Sequence, residues 1–173
     1  MKLVVRLVKW EDFEDVIENY YSFYEEFKTD SSIGLVFHKN PPNINSEIAW
    51  FSNMIVSQNR GEAIAVVAEY SGKVVGLCDV YSKRPNSELS HIGSLGITVK
   101  KEYRHMGIGT LLMKKAIKLS KRKFDVLILD VFETNDIAIH LYEKLGFKKY
   151  AYLPRGIKRK GEYIGTFSMF LDL

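Results

Sequence analysis

Val99-Lys100-Lys101-Glu102-Tyr103-Arg104-His105-Met106-Gly107-Ile108-Gly109 carries the chain from an apolar strand pattern, through a basic turn, into a glycine-bearing helix start. Together these parts describe a backbone cradle for paired phosphates. A helix start leaves about four N–H groups unpartnered and carries roughly half a positive charge. Glycine at 107 and 109 lets anionic oxygens approach without meeting a Cβ. Lys100, Lys101 and Arg104 add positive charge beside it, and His105 reads as a positioning residue of the turn.

Working outward gives a mixed α/β order. Residues 108–121 repeat apolar side chains at helical spacing, with Ile108, Leu111, Leu112, Ala116 and Leu119 on one stripe. The nearly all-apolar run 124–131 suits a buried central strand. Residues 135–145 are helical and stop at Gly146. Runs 147–153 and 163–171 read as closing strands around a turn region at 156–161. Upstream, 90–99 is a strand in which Gly93 and Gly96 suggest a bulge or close approach by a ligand. A hairpin spans 63–70 and 74–81 on Ser71-Gly72-Lys73. Two helices, beginning near Asp12 and covering about 46–59, flank a loop at 34–45 that holds Pro41-Pro42, and residues 2–8 alternate as a first strand. The second helix could bury Ile48, Phe51, Ile55 and Trp50. The crossover rule makes the strands on either side of the 108–121 helix a parallel pair.

The 173 residues are 46% hydrophobic and 27% charged, the balance of one globular domain rather than a disordered segment. No stretch approaches the ~20 apolar residues of a membrane span. The start is too short and too charged for a signal peptide, so a cytoplasmic protein is expected. Cys78 is the only cysteine and reads as a core residue. A net charge of +4 suits a polyanionic cofactor as well as a nucleic acid. No groove-reading motif accompanies it, and nucleic acid is not an expected partner. His38 and His140 lack companions at ligand spacing, so no metal is expected.

Arg104-His105-Met106-Gly107-Ile108-Gly109 matches the Arg/Gln-x-x-Gly-x-Gly/Ala pyrophosphate signature of the Gcn5-related N-acetyltransferase (GNAT) superfamily. Asn135-Asp136-Ile137-Ala138-Ile139-His140-Leu141-Tyr142-Glu143-Lys144-Leu145-Gly146-Phe147 resembles the downstream signature of the same superfamily. The chain resembles that superfamily most strongly over its last half. The closing segment is similar too, although Thr166 stands where members often carry Asp. The resemblance implies an α/β fold: a central mixed sheet, flanked by helices, whose parallel strands 90–99 and 124–131 splay to admit acetyl-CoA. The backbone of Leu95, Ile97 and Val99 would line the gap, with Gly96 at a strand bulge. Lys100, Lys101, Arg104, His105, Met106, Gly107, Ile108, Gly109 and Thr110 would surround the diphosphate. Asn135 and Ala138 would orient the pantetheine arm, and CoA would leave as product.

The resemblance further implies a primary amine as acceptor, on a small molecule, a protein N-terminus or a lysine, reacting in a ternary complex. Tyr142 would protonate the departing sulfur, and the Leu95 N–H would meet charge developing on the carbonyl oxygen. An alkylammonium of pKa ~10.4 must first lose a proton. Glu88 and His91 at the opening of the strand, and Glu133 after the facing strand, are the residues offered for it; imidazole ordinarily titrates nearest neutrality. Release of the proton to solvent competes with all three. Tyr20, Tyr21, Phe23, Tyr24 and Phe27 are too dense for core packing alone and suggest an acceptor-pocket wall. The segments 30–45 and 154–161 are candidates for acceptor selection. A basic surface disfavours polycationic acceptors unless an acidic pocket is present. A homodimer accords with the resemblance. The competing function is a non-catalytic acyl-CoA-binding or sensory module on the same fold.

Overall fold

The computed structural model describes residues 2–173. Strand β1 (Leu3–Leu7) leads through a short 3-10 turn into helix α1 (Phe13–Thr29). Helix α2 (Ile44–Arg60) starts two residues before its apolar spacing suggests, because Asn43 caps it: the side chain accepts from Ser46 N at 3.0 Å. It ends on left-handed Gly61. Strands β2 (Ala63–Tyr70) and β3 (Lys73–Ser82) form the expected hairpin. Then come β4 (Ile92–Val99), α3 (Ile108–Ser120), β5 (Val126–Phe132) and α4 (Asp136–Lys144). Strands β6 (Lys148–Arg159) and β7 (Glu162–Asp172) close the chain.

The seven strands form one sheet in the order β1-β2-β3-β4-β5-β7-β6, and only β4 and β5 pair in parallel. That pairing covers three residue pairs, Ile92–Val126, Gly93–Leu127 and Ser94–Ile128. Beyond Ser94 the strands part, while β4 stays registered with β3 as far as Val99. The mixed sheet with splayed parallel strands is therefore present.

Two further details differ from the sequence reading. Residues 154–159 are strand rather than turn, and the reversal is confined to Lys160-Gly161, both at positive φ. Pro154 is accommodated because β6 is an edge strand whose register with β7 slips between Leu153 and Ile157. The bulge expected at Gly96 is also absent, since β3 and β4 pair without a slip from Gly76–Val99 to Ser82–Gly93. Packing explains both glycines instead. A Cβ at Gly93 would stand 2.7 Å from Val80 and 2.8 Å from Leu127, and one at Gly96 2.9 Å from an Asp79 carboxylate oxygen.

The sheet separates two hydrophobic clusters, and strand alternation assigns side chains to each. Ile64, Val66 and Ala68 of β2 join the cluster under α3 and α4, whereas Ala65 and Val67 join the one under α1 and α2. On the helices the spacing misplaces two residues. Ile48 and Leu111 are exposed, and Met54 and Met113 are fully buried instead. Among the described residues, no helix is long and apolar enough to cross a membrane.

Candidate active site

Backbone direction decides what the splay presents. The His91 carbonyl accepts from Asp125 and Val126 on the β5 side, whereas the Ile92 carbonyl accepts from Lys83 on the β3 side. Lys100 N, at the other end, donates to Val75 O of β3. Alternation therefore turns the N–H and C=O groups of Leu95, Ile97 and Val99 toward the gap. The Val99 carbonyl is taken by Arg104 Nε at 2.9 Å, which leaves Leu95 and Ile97 as the free edge.

That edge runs into the turn at 104–109, where the sequence places the diphosphate. His105 and Gly107 adopt φ values of 63° and 76°, and Gly107 is the N-cap of α3. The first bond of the helix runs from Leu111 N to Gly107 O at 3.2 Å, so the N–H groups of Ile108, Gly109 and Thr110 lead the helix without intrahelical acceptors. A positive-φ turn before a helix start is an anion-binding arrangement. At Gly109 a Cβ would meet Leu141 and Ile97 side chains only at 3.6 and 3.9 Å, so the space above this glycine is open in the protein itself.

The side chains of the motif divide by role. Arg104 does not reach outward: its guanidinium donates twice to the buried Glu26 carboxylate of α1, at 2.5 and 2.7 Å. Its function in the structure is to fasten the turn. Lys100 is drawn to Glu18 at 3.2 Å, while Lys101, His105 and Met106 are exposed at the rim and Ile108 is core. The groups left facing the open side of the turn are thus mainly backbone amides.

Asn135 caps α4, accepting from Ala138 N at 3.2 Å. It also meets the α1–α2 loop, because a Cβ at Gly34 would stand 2.3 Å from its Nδ2. Tyr142 lies on the buried side of α4, in the same hydrophobic cluster as Leu95, and is 7% exposed. Its hydroxyl has no hydrogen-bond partner among the described residues and is not a sealed orphan like Ser120 Oγ. Burial pushes its pKa up, so the phenol keeps its proton at neutral pH.

The residues expected to accept a proton are not gathered at the gap. Glu88 and His91 lie in an exposed turn at the paired end of β4, with His91 about 13 Å of strand from Leu95. Glu133 accepts from Tyr152 Oη at 2.6 Å and Gly165 N at 2.7 Å, and these bonds hold its pKa below the ordinary carboxylate range. Asp79 is the carboxylate that the sequence reading passed over. It pairs with Gly96 across β3 and β4, on the face shared with Leu77 and Tyr81, and its oxygen occupies the space a side chain at 96 would fill. Burial raises its pKa to about 6, offset slightly by its own backbone N–H. A lone carboxylate inside an apolar strand was the available signal; its proximity to the gap required the register.

The α1–α2 loop is fixed by Arg159. This residue donates to the carbonyls of Ser31, Ile33 and Leu35 and lies against the rings of Phe27 and Phe132, holding the α1–α2 loop over the sheet. A cavity of about 500 Å³ sits at the apex of the splay, where Ser94 and Ile128 form the last pair, with Tyr81, Asp130 and Ser168 in its wall.

Comparison with known proteins agrees with this geometry. An N-alpha-acetyltransferase of Sulfurisphaera tokodaii is 36% identical over 97 residues, covering 51% of this chain and 58% of that protein. The L-amino acid N-acetyltransferase AaaT of Escherichia coli is 33% identical over 113 residues, covering 60% and 65%. The chain thus spans about a third to two thirds of the length of the curated relatives it matches. A Salmonella typhimurium protein solved with its cofactor acetyl-CoA superposes with a TM-score of 0.85 at 18% identity, over 100% of this chain and 95% of that one, which establishes likeness of fold. The model of the acetyltransferase (GNAT) family matches residues 13–147, so the motif at 104–109, the splayed strands and the capped α4 fall within one matched span, and the chain belongs to that family.

Proposed function

We propose that this protein transfers the acetyl group of acetyl-CoA to a primary amine within a ternary complex. The observation that carries the reading is the parting of β4 from β5 after three pairs, with the free edge of β4 leading to the unpartnered amides of α3. These residues fit acetyl-CoA: amides at 108–110 for the diphosphate, and Leu95 and Ile97 for the amides of the pantetheine arm. Bound there, acetyl-CoA supplies an activated acyl group, with CoA thiol as the product.

The residues of the chain supply the rest. Asp79 takes the proton from the acceptor ammonium, directly or through water, a task suited to a carboxylate whose pKa lies near 6 rather than 4. The Leu95 N–H faces the oxygen on which charge develops, and Tyr142 Oη delivers a proton to sulfur. Holding both reactants in one cleft supplies much of the acceleration. Cys78 is fully buried with its thiol pKa pushed up, so it does not serve as an acyl carrier.

A panel of amines and N-terminal peptides with acetyl-CoA, read by release of free thiol, tests the proposal. Turnover that falls when Asp79 is replaced supports it. Saturable acetyl-CoA binding with no thiol release across the panel would leave only an acyl-CoA-binding module.

A further inference from the structure

Between α1 and α2 lies a cavity of about 620 Å³ whose wall includes Tyr20, His38, Glu47 and Trp50. Tyr20 and Trp50 stack there with ring centroids 6.2 Å apart and planes 24° from parallel. Glu47 is 3% exposed, lies four residues before Phe51 and seven before Met54 on the buried stripe of α2, and yet carries a carboxylate. Among the described residues, neither oxygen has a hydrogen-bond or ion-pair partner, and neither is sealed from the cavity.

The start of α2 does not account for this burial. Ser46 N is bonded to the Asn43 side chain and Glu47 N to the Asn43 carbonyl, and the Glu47 carboxylate accepts from no amide of the first turn. His38 draws the Glu47 pKa down but does not offset desolvation, which holds it up. Tyr20 and Tyr21, the other titratable neighbours, stay neutral because burial raises their own pKa values. A desolvated anion beside two stacked aromatic faces lacks one thing, a compact organic cation.

We propose that this cavity binds an alkylammonium group, with Glu47 neutralising the charge and Tyr20 and Trp50 contacting the methylenes and the cationic head. The site stands apart from the acetyl-transfer reading, since binding needs neither acetyl-CoA nor turnover. It also meets the condition under which a basic chain accepts a polycation, an acidic pocket.

Calorimetric titration of the full chain with n-butylamine, putrescine and n-butanol, without acetyl-CoA, tests the site. Wild-type protein takes up both ammonium ions saturably and gives no saturable heat with the alcohol. Glu47→Gln keeps the shape, removes an unpaired buried charge and weakens uptake about tenfold. Trp50→Leu weakens it severalfold with the carboxylate in place. Equal uptake by wild type and Glu47→Gln, no uptake of either amine, or butanol binding as well as butylamine overturns the proposal. Acetyl-transfer assays with the same amines identify the source of the cation. A KM increase in Glu47→Gln confined to putrescine places the far ammonium of the acceptor in the cavity. An unchanged KM for both amines, with calorimetric uptake weakened, marks a separate cationic ligand. Both results support the site, and absence of turnover leaves the calorimetric result standing.

Discussion

Arg104 and Glu26 hold each other through two parallel hydrogen bonds, 78 residues apart in sequence, and the Glu26 side chain is only 5% exposed. The pair fastens the turn that precedes α3 to helix α1. The arginine of the phosphate signature is therefore a brace, and its neighbours present the amides.

Removing the brace should cost folding stability. Arg104→Ala strands a buried carboxylate, worth roughly 2–4 kcal/mol because the arginine side is partly open to water. Glu26→Ala should cost a similar amount, and the double variant less than the two singles added. Urea denaturation measures all three. A fall in acetyl-CoA affinity on Arg104→Ala with unfolding unchanged would instead return the guanidinium to the diphosphate.

The two glycines of the motif should separate folding from binding. Gly107 sits at φ 76°, so Gly107→Ala should destabilise the chain by about 1 kcal/mol as well as weakening acetyl-CoA binding. Gly109 is in the helix, with only ordinary contacts around an added Cβ. Gly109→Val should leave the melting temperature close to wild type, while its side chain stands over the amides and abolishes acetyl-CoA uptake in calorimetry. Normal uptake by that variant would place the phosphates elsewhere.

What could be read in advance was local. Gly107, Asn135, Gly146 and the apolar run of β5 are short-range signals of caps and burial, and each lies where the sequence placed it. What could not be read depends on contacts between distant segments. Glu26 looks like one of several acids on α1 until Arg104 arrives, and Asp79 looks like a surface interruption of β3 until Gly96 lies opposite it. The run of strand through 154–159 was not legible, because whether a proline interrupts a strand depends on whether that strand is central or at an edge. Glu47 was legible in principle, since its spacing to Phe51 and Met54 puts it on the buried stripe of α2.

Asp79→Asn should change both the pH–rate profile and the stability. In the proposed reaction deprotonated Asp79 is the working form, so the wild-type rate should rise with pH through about 6, and the variant should lose that limb along with roughly 10²–10⁴ of turnover. For stability the sign is opposite to that of an ion-paired carboxylate. With its pKa raised from 3.8 to about 6, the folded protein holds this proton where the unfolded chain has lost it. Stability therefore falls as pH rises through that window, by up to about 3 kcal/mol. Asp79→Asn should remove that fall and unfold at a higher temperature than wild type at pH 7. A wild-type profile flat across pH 5 to 7 would exclude Asp79 as the base.

Tyr142→Phe isolates the hydroxyl, because the ring packs in the core and against Phe147 at 6.0 Å while the oxygen bonds to nothing among the described residues. Thermal unfolding should move by no more than about 0.5 kcal/mol. Burial holds the phenol protonated across the neutral range, so it is available as an acid at every pH where Asp79 is available as a base. The group it would serve in the proposed reaction is undemanding: a thiol of pKa ~8.5 departs as a tolerable anion. The variant should accordingly slow kcat by about tenfold rather than abolish it, with KM for acetyl-CoA unchanged. Steady-state kinetics on purified protein decides the matter, since equal kcat values for Tyr142 and its phenylalanine variant would reduce the residue to packing and leave water as the acid.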